Sequence, residues 1–269
     1  MGKKNIASIE VNSKMKKKFK LTKKKLNFNK ENLDAAIDFI QNPLKQTFNK
    51  FSPVYLYIVL KDPLPEDKIK KIKNKLVKIK HSLLSSKTKQ KICLIENELN
   101  EKEKIDLASK SKCLAILSND ELKNKIKKLK QNELDVNSLN YIYQIFVSNS
   151  KYNFSQLDNI NKHCDVLYYE KKNIENLKQI IEKVDKGATI IKINQSNKKI
   201  FRIKCGNASM EKNQIVTNIT NMIYKASSYI LAQAQKFNTV QSIIISSETS
   251  VPFKIYGELS LEDFNIFDN

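Results

Sequence analysis

Apolar residues follow a helical period and then a strand period in the first part of the chain. From about residue 32, Leu33, Ala36, Ile37 and Ile40 recur at spacings of three and four, which predicts an amphipathic helix. The run 53–60 that follows is β-branched and aromatic and is bounded by prolines, so it predicts a strand.

The middle of the chain changes to short apolar runs separated by helical stretches. A helix is predicted over 119–130, with Asn119 as its cap. Strands that alternate with helices indicate a parallel sheet covered on both faces, as in a small Rossmann-like unit. Residues 91–180 contain no glycine, so no glycine-rich loop for nucleotide phosphates is expected there. The predicted strands are 92–95, 113–117, 142–147 and 166–169.

The sequence of the last third of the chain predicts a hairpin, a long helix and two final strands. Gly187 opens the hairpin, and we interpret the apolar stripe of the long helix, which includes Ile215 and Ile219, as core packing. The predicted elements are a helix over 174–184, strands over 188–193 and 199–204, a helix over 212–235, and strands over 242–245 and 253–256.

The net charge of +21 indicates a partner that carries many phosphates. All of the 49 basic residues except Arg202 are lysines, however, and asparagine and isoleucine are abundant. Such a bias inflates the lysine content, so part of this charge is expected to be a solvated surface. The placement of the charge therefore carries more information than its total.

Three segments concentrate the positive charge. Residues 3–25 hold ten lysines against Glu10 alone, which predicts a disordered basic arm over 1–29. Residues 68–91 hold ten more lysines and no acid, and the alternation over 76–80 predicts that Lys78 and Lys80 face away from the core. The predicted hairpin also alternates apolar with basic residues, so exposed positions are expected for Lys199, Arg202 and Lys204.

The residues that usually carry catalysis or bind metals are few. The four cysteines have no C-x-x-C spacing, which argues against a disulfide framework or a metal site, and no cofactor is predicted. His163 and Cys164 give the only hint of a nucleophile, but sequence neighbours do not face each other on a regular element. We therefore predict no catalytic residue. No apolar run is long enough to span a bilayer, so no membrane association is expected.

Several motifs together resemble the ribosomal L-one family over residues 30–260. Residues 201–210, FRIKCGNASM, look like the family's strand ending in a Gly-x-x-x-Met turn, and 214–219 look like the long helix that follows it. Residues 240–250 are similar to the family's final strand and RNA-facing loop. Residues 77–84 with 91–97 resemble its hinge, and Lys186-Gly187 its return crossing.

This resemblance implies an α/β fold of two domains and a non-catalytic function. A split α+β domain would be formed by 30–90 and 186–269, with a Rossmann-like parallel α/β domain inserted over 91–185. The split domain would bind RNA, and the expected partners are precursor ribosomal RNA and the proteins of pre-ribosomal particles in the nucleolus. The chain would be a monomer within the particle. The implied RNA-binding residues are Lys78, Lys80, Lys199, Arg202, Lys204, Ser247, Thr249, Ser250 and Lys254.

The loop near the C-terminus separates two members of this family from each other. Ribosomal stalk proteins carry Thr-Met-Gly there, whereas this chain has 247–250, SETS, in which Glu248 brings a negative charge and the glycine is missing. The altered loop favours a ribosome-assembly factor over the stalk protein. Two further functions stay open: a scaffold for proteins that binds RNA only weakly and without sequence preference, and an enzyme acting on RNA.

Overall fold

A computed structural model describes residues 28–257 apart from some short segments, so the predicted basic arm lies almost entirely outside the described residues. The segments not described are 47–51, 73–74, 85–89, 133–135, 150–159, 161–163, 170–173, 195–196, 235–238 and 249. The described part is a mixed α/β structure with one antiparallel and one parallel sheet, which confirms the predicted α/β class.

The elements whose bounds the hydrophobic periods predict lie close to those bounds, whereas the second and third helices and the 3-10 helix had no predicted bounds. The helices are α1 (Lys30–Gln46), α2 (Glu66–Ile72), α3 (Glu101–Lys110), α4 (Asn119–Gln131), α5 (Ile174–Asp185) and α6 (Lys212–Gln233), and a 3-10 helix spans Val136–Tyr141. The strands are β1 (Pro53–Leu60), β2 (Lys75–Lys78), β3 (Lys91–Ile95), β4 (Leu114–Leu117), β5 (Tyr143–Asn149), β6 (Val166–Tyr169), β7 (Ala188–Ile193), β8 (Ile200–Asn207), β9 (Val240–Ser247) and β10 (Phe253–Gly257).

The six-stranded antiparallel sheet is built from both ends of the described chain, in the order β10-β9-β1-β8-β7-β2. Alternate residues of its strands pack against α1 and α6, as Leu56 of β1 and Ile203 of β8 do within the larger core. Because successive side chains point to opposite faces, Tyr55, Arg202 and Lys204 lie on the other face of this sheet. That second face is the one that turns toward the parallel sheet.

The four-stranded parallel sheet comes from the middle of the chain, in the order β4-β3-β5-β6. Leu107 of α3 and Ile181 of α5 pack with one of its faces. Leu122 of α4 and Leu139 of the 3-10 helix pack with the other. The sheet is therefore covered on both faces, which explains why its strands have the nearly continuous apolar sequences expected of buried parallel strands.

The return from α5 to β7 depends on a glycine. Gly187 has φ +88°, and a Cβ atom at this position would lie 3.3 Å from Cα of Ser82, so both the backbone conformation and the available space favour glycine. At the start of α4, the structure corrects one prediction. The N-cap is Ser118, which forms a reciprocal capping box with Glu121, and Asn119 is the first residue of the helix.

Neither a membrane span nor a metal cluster is found among the described residues. No helix in this part of the chain is both long and apolar enough to cross a membrane. Within the same residues, no three His, Cys, Asp or Glu side chains are grouped so that they could hold a metal ion.

Candidate nucleic-acid interface

The predicted RNA-binding residues do not share one surface. Lys78 and Lys254 are both exposed, but Lys78 lies in β2 at one edge of the six-stranded sheet and Lys254 in β10 at the other. With five strand spacings of about 4.8 Å between them, these two edge strands lie about 24 Å apart across the sheet. Lys80 is exposed just beyond β2, and Lys199 is half-buried in the turn before β8.

The expectation that Arg202 and Lys204 occupy exposed positions is wrong. Only 1% of Lys204 is exposed to solvent, and only 20% of the Arg202 side chain. Strand alternation correctly places both on the face opposite the helices. That face is covered by the end of the parallel sheet, which the local sequence pattern does not reveal.

A polar network joins the two sheets at this buried face. Arg202 Nη2 lies 3.3 Å from Oδ1 of Asp165, a residue that is almost completely buried just before β6. Lys192 donates to the carbonyl oxygen of Cys164 at 2.5 Å, and Lys204 lies 3.5 Å from the carbonyl oxygen of Gln144. The basic residues of β7 and β8 are thus held by groups of the middle segment.

Burial at this contact disturbs the titration of several side chains. Desolvation, with a smaller contribution from the charge of Arg202, lowers the pKa of Lys192 to about 7. Desolvation also lowers the pKa of Lys204, against the opposing effect of Asp165 and Glu248. Burial raises the pKa of Glu248 to about 7, although the charge of Lys204 and a hydrogen bond from Asn140 favour its ionised form.

The loop after β9 is tied to itself and to the middle segment. Ser247 N donates to Oγ of Ser250 at 2.8 Å, and Ser250 N donates to Oγ of Ser247 at 3.1 Å. Glu248 accepts a hydrogen bond from Nδ2 of Asn140 at 2.5 Å, so its carboxylate faces the 3-10 helix. Thr249, the remaining predicted residue of this loop, lies outside the described residues.

Sequence reasoning missed basic residues on the helix side of the sheet. Lys225 of α6 is exposed, and its Nζ donates to the carbonyl oxygen of Lys78 at 3.2 Å, which brings α6 and the edge strand β2 together. A signal for this surface was present, since α6 contains no Asp or Glu although it is 22 residues long. The apolar stripe of α6 predicts which side of the helix packs on the core. It does not indicate which residues lie next to the polar side of the helix.

The cysteine chemistry of the described part gives no support to a nucleophile. Burial raises the pKa of Cys164 to about 12, so its sulfur remains a protonated thiol near neutral pH. His163, its predicted companion, lies outside the described residues. Cys93 and Cys205 are fully buried, and burial raises the pKa of both thiols.

Comparison with known proteins adds no relative. No protein-family model matches the sequence, and no curated protein matches it. The class that the described residues define is therefore structural: a two-sheet α/β protein in which the antiparallel sheet buries one set of cations against the parallel sheet and exposes another at its β2 edge.

Proposed function

We propose that this chain is a non-catalytic ribosome-assembly factor that binds precursor ribosomal RNA in the nucleolus and has the two-domain architecture of the ribosomal L-one family. The distribution of strands supports this architecture, because residues 53–78 and 188–257 contribute the strands of one sheet and residues 91–169 contribute those of the other. That is the arrangement which the resemblance implies for a split domain with an insertion.

The observation that carries the RNA-binding part of the proposal is an edge of unpaired lysines. Lys71, Lys75, Lys78 and Lys80 are exposed, and none forms an ion pair with a carboxylate of the described residues. Only Lys75 has a further interaction through its charge, 5.3 Å from the ring centroid of Tyr229. A concentration of unneutralised ammonium groups at one edge suits phosphate contacts, each of which releases counterions.

The lysines of the middle segment provide the comparison. Lys104, Lys123 and Lys178 lie within 4 Å of carboxylates, at Glu101, Asp120 and Asp106 respectively. A compositional excess of lysine would be expected to appear in both parts of the chain alike. Lys102, Lys127 and Lys128 of the same segment nevertheless have no carboxylate partner among the described residues, so unpaired lysines occur in both parts of the chain. The β2 edge differs because residues 68–91 hold ten lysines and no acid, and this concentration of charge favours RNA binding over a merely solubilising surface.

The structure also changes which residues we propose as RNA contacts. Lys78, Lys80, Lys199 and Lys254 remain proposed phosphate contacts because they are at least partly accessible. Arg202 and Lys204 instead hold the two sheets together in this arrangement. The hydroxyl oxygens of Ser247 and Ser250 each accept a hydrogen bond from the backbone N–H of the other residue, so the loop would meet RNA with both side chains held in place.

The proposal is tested by crosslinking the protein to RNA in cells, sequencing the bound fragments and sedimenting extracts on gradients. We expect reads confined to precursor ribosomal RNA, in particles separate from translating polysomes, with the protein in the nucleolus. Reads on mature stalk RNA with the protein on polysomes would identify a ribosomal protein instead. Weak reads spread over unrelated RNAs would indicate a protein-binding scaffold and contradict the proposal.

A further inference from the structure

The half-buried side of α6 forms one wall of a groove on the helix-covered face of the antiparallel sheet. Thr217, Thr220, Asn221 and Tyr224 recur at spacings of three and four, which places them along one side of the helix. The opposite side carries the buried apolar stripe, including Ile215 and Ile219. The groove has a volume of about 510 Å³.

Three lysines from separate parts of the chain meet at this groove. They are Lys30 at the start of α1, Lys80 just beyond β2, and Lys225 in α6, and all three are exposed. Asp34 is the acidic residue among the groove's lining residues, so the lining carries an excess of positive charge. None of the three ammonium groups has a carboxylate partner among the described residues, so each can pair with an anion.

Neutral hydrogen-bond donors accompany these charges. The side chains of Thr217, Thr220 and Asn221 line the groove and form no hydrogen bond with another side chain or backbone group that the structure describes. Hydroxyl and amide donors beside ammonium groups are the usual phosphate contacts of RNA-binding proteins. The groove therefore offers both long-range attraction and short-range donors to phosphate oxygens.

The groove also adjoins the entry point of the lysine-rich N-terminal segment. The ring of Phe28 is buried and lies 6.1 Å from that of Tyr224, so the chain from residues 3–25 joins the described structure beside the groove. Residues 3–25, which precede Phe28 in the sequence, contain ten lysines, and such a content favours a polymer of phosphates over a small anion as the ligand.

We propose that this groove binds successive phosphates of an RNA backbone, through Lys30, Lys80 and Lys225 with the hydroxyls of Thr217 and Thr220. The inference rests on the proposed RNA-binding function and assigns to it a site on the helix side of the sheet, apart from the loop 247–250. Recognition at this site depends on phosphate spacing and shape, because ammonium and hydroxyl contacts to phosphates position a nucleic acid without reading its bases.

The first test compares two triple variants of the full chain. K30Q/K80Q/K225Q removes the groove charges, and K102Q/K127Q/K128Q removes the same charge from exposed positions of α3 and α4. The probe is a fluorescein-labelled 20-base-pair RNA duplex, titrated by anisotropy between 0.05 and 0.3 M KCl. For the groove variant we expect affinity at 0.1 M KCl to fall at least about tenfold, and the slope of log K against log salt to decrease by about 2–3. For the control variant we expect a change below about threefold and a slope change below about 1.

A second variant predicts a change in the opposite direction. Asp34→Asn removes the negative charge from the groove without altering its size, so the RNA affinity should rise by about two- to fivefold at 0.1 M KCl. Loss of folding cannot mimic a gain of affinity. Unchanged or weaker binding by this variant, with native circular dichroism, would overturn the inference.

The remaining outcomes separate the groove from the general proposal. Tight RNA binding that responds equally to both triple variants would make the groove inference wrong and leave the RNA-binding function standing. A wild-type chain that fails to bind the duplex at 0.1 M KCl would overturn both.

Titration with sodium phosphate at constant ionic strength, followed by NMR, distinguishes an RNA site from a site for small anions. If the groove variant lost only its response to phosphate and kept its RNA affinity, the groove would be a small-anion site and the inference would be wrong.

Discussion

Arg202 and Asp165 form an ion pair between the two sheets, with 3.3 Å between Nη2 and Oδ1. Only 5% of the Asp165 side chain is exposed, and the guanidinium group also lies 4.6 Å from the ring centroid of Tyr55. Since both charged groups are largely shielded from water, each ionised form is stabilised mainly by the other. The pair therefore ties β8 of the antiparallel sheet to the start of β6.

The first prediction concerns the energetics of that pair. Asp165→Asn should lower the free energy of unfolding by roughly 3 kcal/mol, because it leaves the largely buried Arg202 charge without its carboxylate partner. Arg202→Met in the same background should recover more than about 1 kcal/mol of that loss. Urea denaturation followed by circular dichroism measures both effects. The exposed pair Lys123 and Asp120 is the control, and its disruption should change stability by less than about 1 kcal/mol. Additive losses at 165 and 202 would contradict the predicted coupling.

The second prediction concerns pH and Glu248. Its pKa is raised to about 7 by burial, so the folded protein holds a proton that the unfolded chain releases near its ordinary value of 4.5. The stabilisation is complete below pH 4.5 and is lost as the pH rises through about 7. The difference in unfolding free energy between wild type and Glu248→Gln should therefore fall by up to about 3 kcal/mol across that window.

Lys192 supplies the control for this pH dependence because its effect has the opposite sign. Desolvation lowers its pKa from 10.5 to about 7, so the folded protein releases a proton that the unfolded chain retains up to about pH 10.5. Its contribution to stability should rise with pH between 7 and 10.5, and Lys192→Met should abolish that rise. Denaturant titrations at several pH values test both windows. A flat difference curve for Glu248→Gln would show that its carboxyl group is not buried in solution.

The third prediction concerns a buried asparagine of α6. Asn218 accepts a hydrogen bond from His81 N at 2.8 Å and donates to the carbonyl oxygens of His81 and Cys205, each at 2.9 Å. It thus fixes the segment after β2 to the helix and to β8. Asn218→Ala should cost about 3 kcal/mol of stability, since it leaves buried backbone groups without partners. Asn221→Ala, three residues along the same helix, is the control and should stay within about 0.5 kcal/mol. Equal effects on thermal unfolding would contradict the assigned role.

The fourth prediction distinguishes exposed from buried cations in RNA binding. Lys78→Gln with Lys80→Gln should reduce the slope of log K against log salt by about 2, because two phosphate contacts are lost. Lys204→Met should leave the RNA affinity within about twofold, since its ammonium group is buried between the sheets. Anisotropy titrations with the same RNA duplex measure both. A large loss of affinity in Lys204→Met, with native stability, would show that RNA reaches the buried face.

Much of the fold was predictable because each element has its own period. The apolar runs placed β6 at the residues where it occurs and β3 within one residue of its start, and the helix predicted over 174–184 ends one residue later, at Asp185. Strand ends that depend on pairing with a distant strand could not be predicted from the local sequence. The strand predicted over 199–204 extends to Asn207 because Gly206 and Asn207 pair with Val54 and Pro53 of β1, far away in sequence. No sequence pattern near residue 206 indicates that this segment pairs with β1.

The sequence by itself determined the elements, the mixed α/β class and the side of each strand on which a residue falls, since these depend on local periodicity and on alternation along the backbone. Only the tertiary structure decided what lies opposite each side. The same alternation placed Lys78 and Lys204 away from the helices of their sheet, yet Lys78 meets solvent at an edge and Lys204 meets Gln144 of the middle segment. The physical reason is that exposure depends on contacts between residues distant in the chain. The groove of Lys30, Lys80 and Lys225 likewise exists only because folding brings three separate segments together.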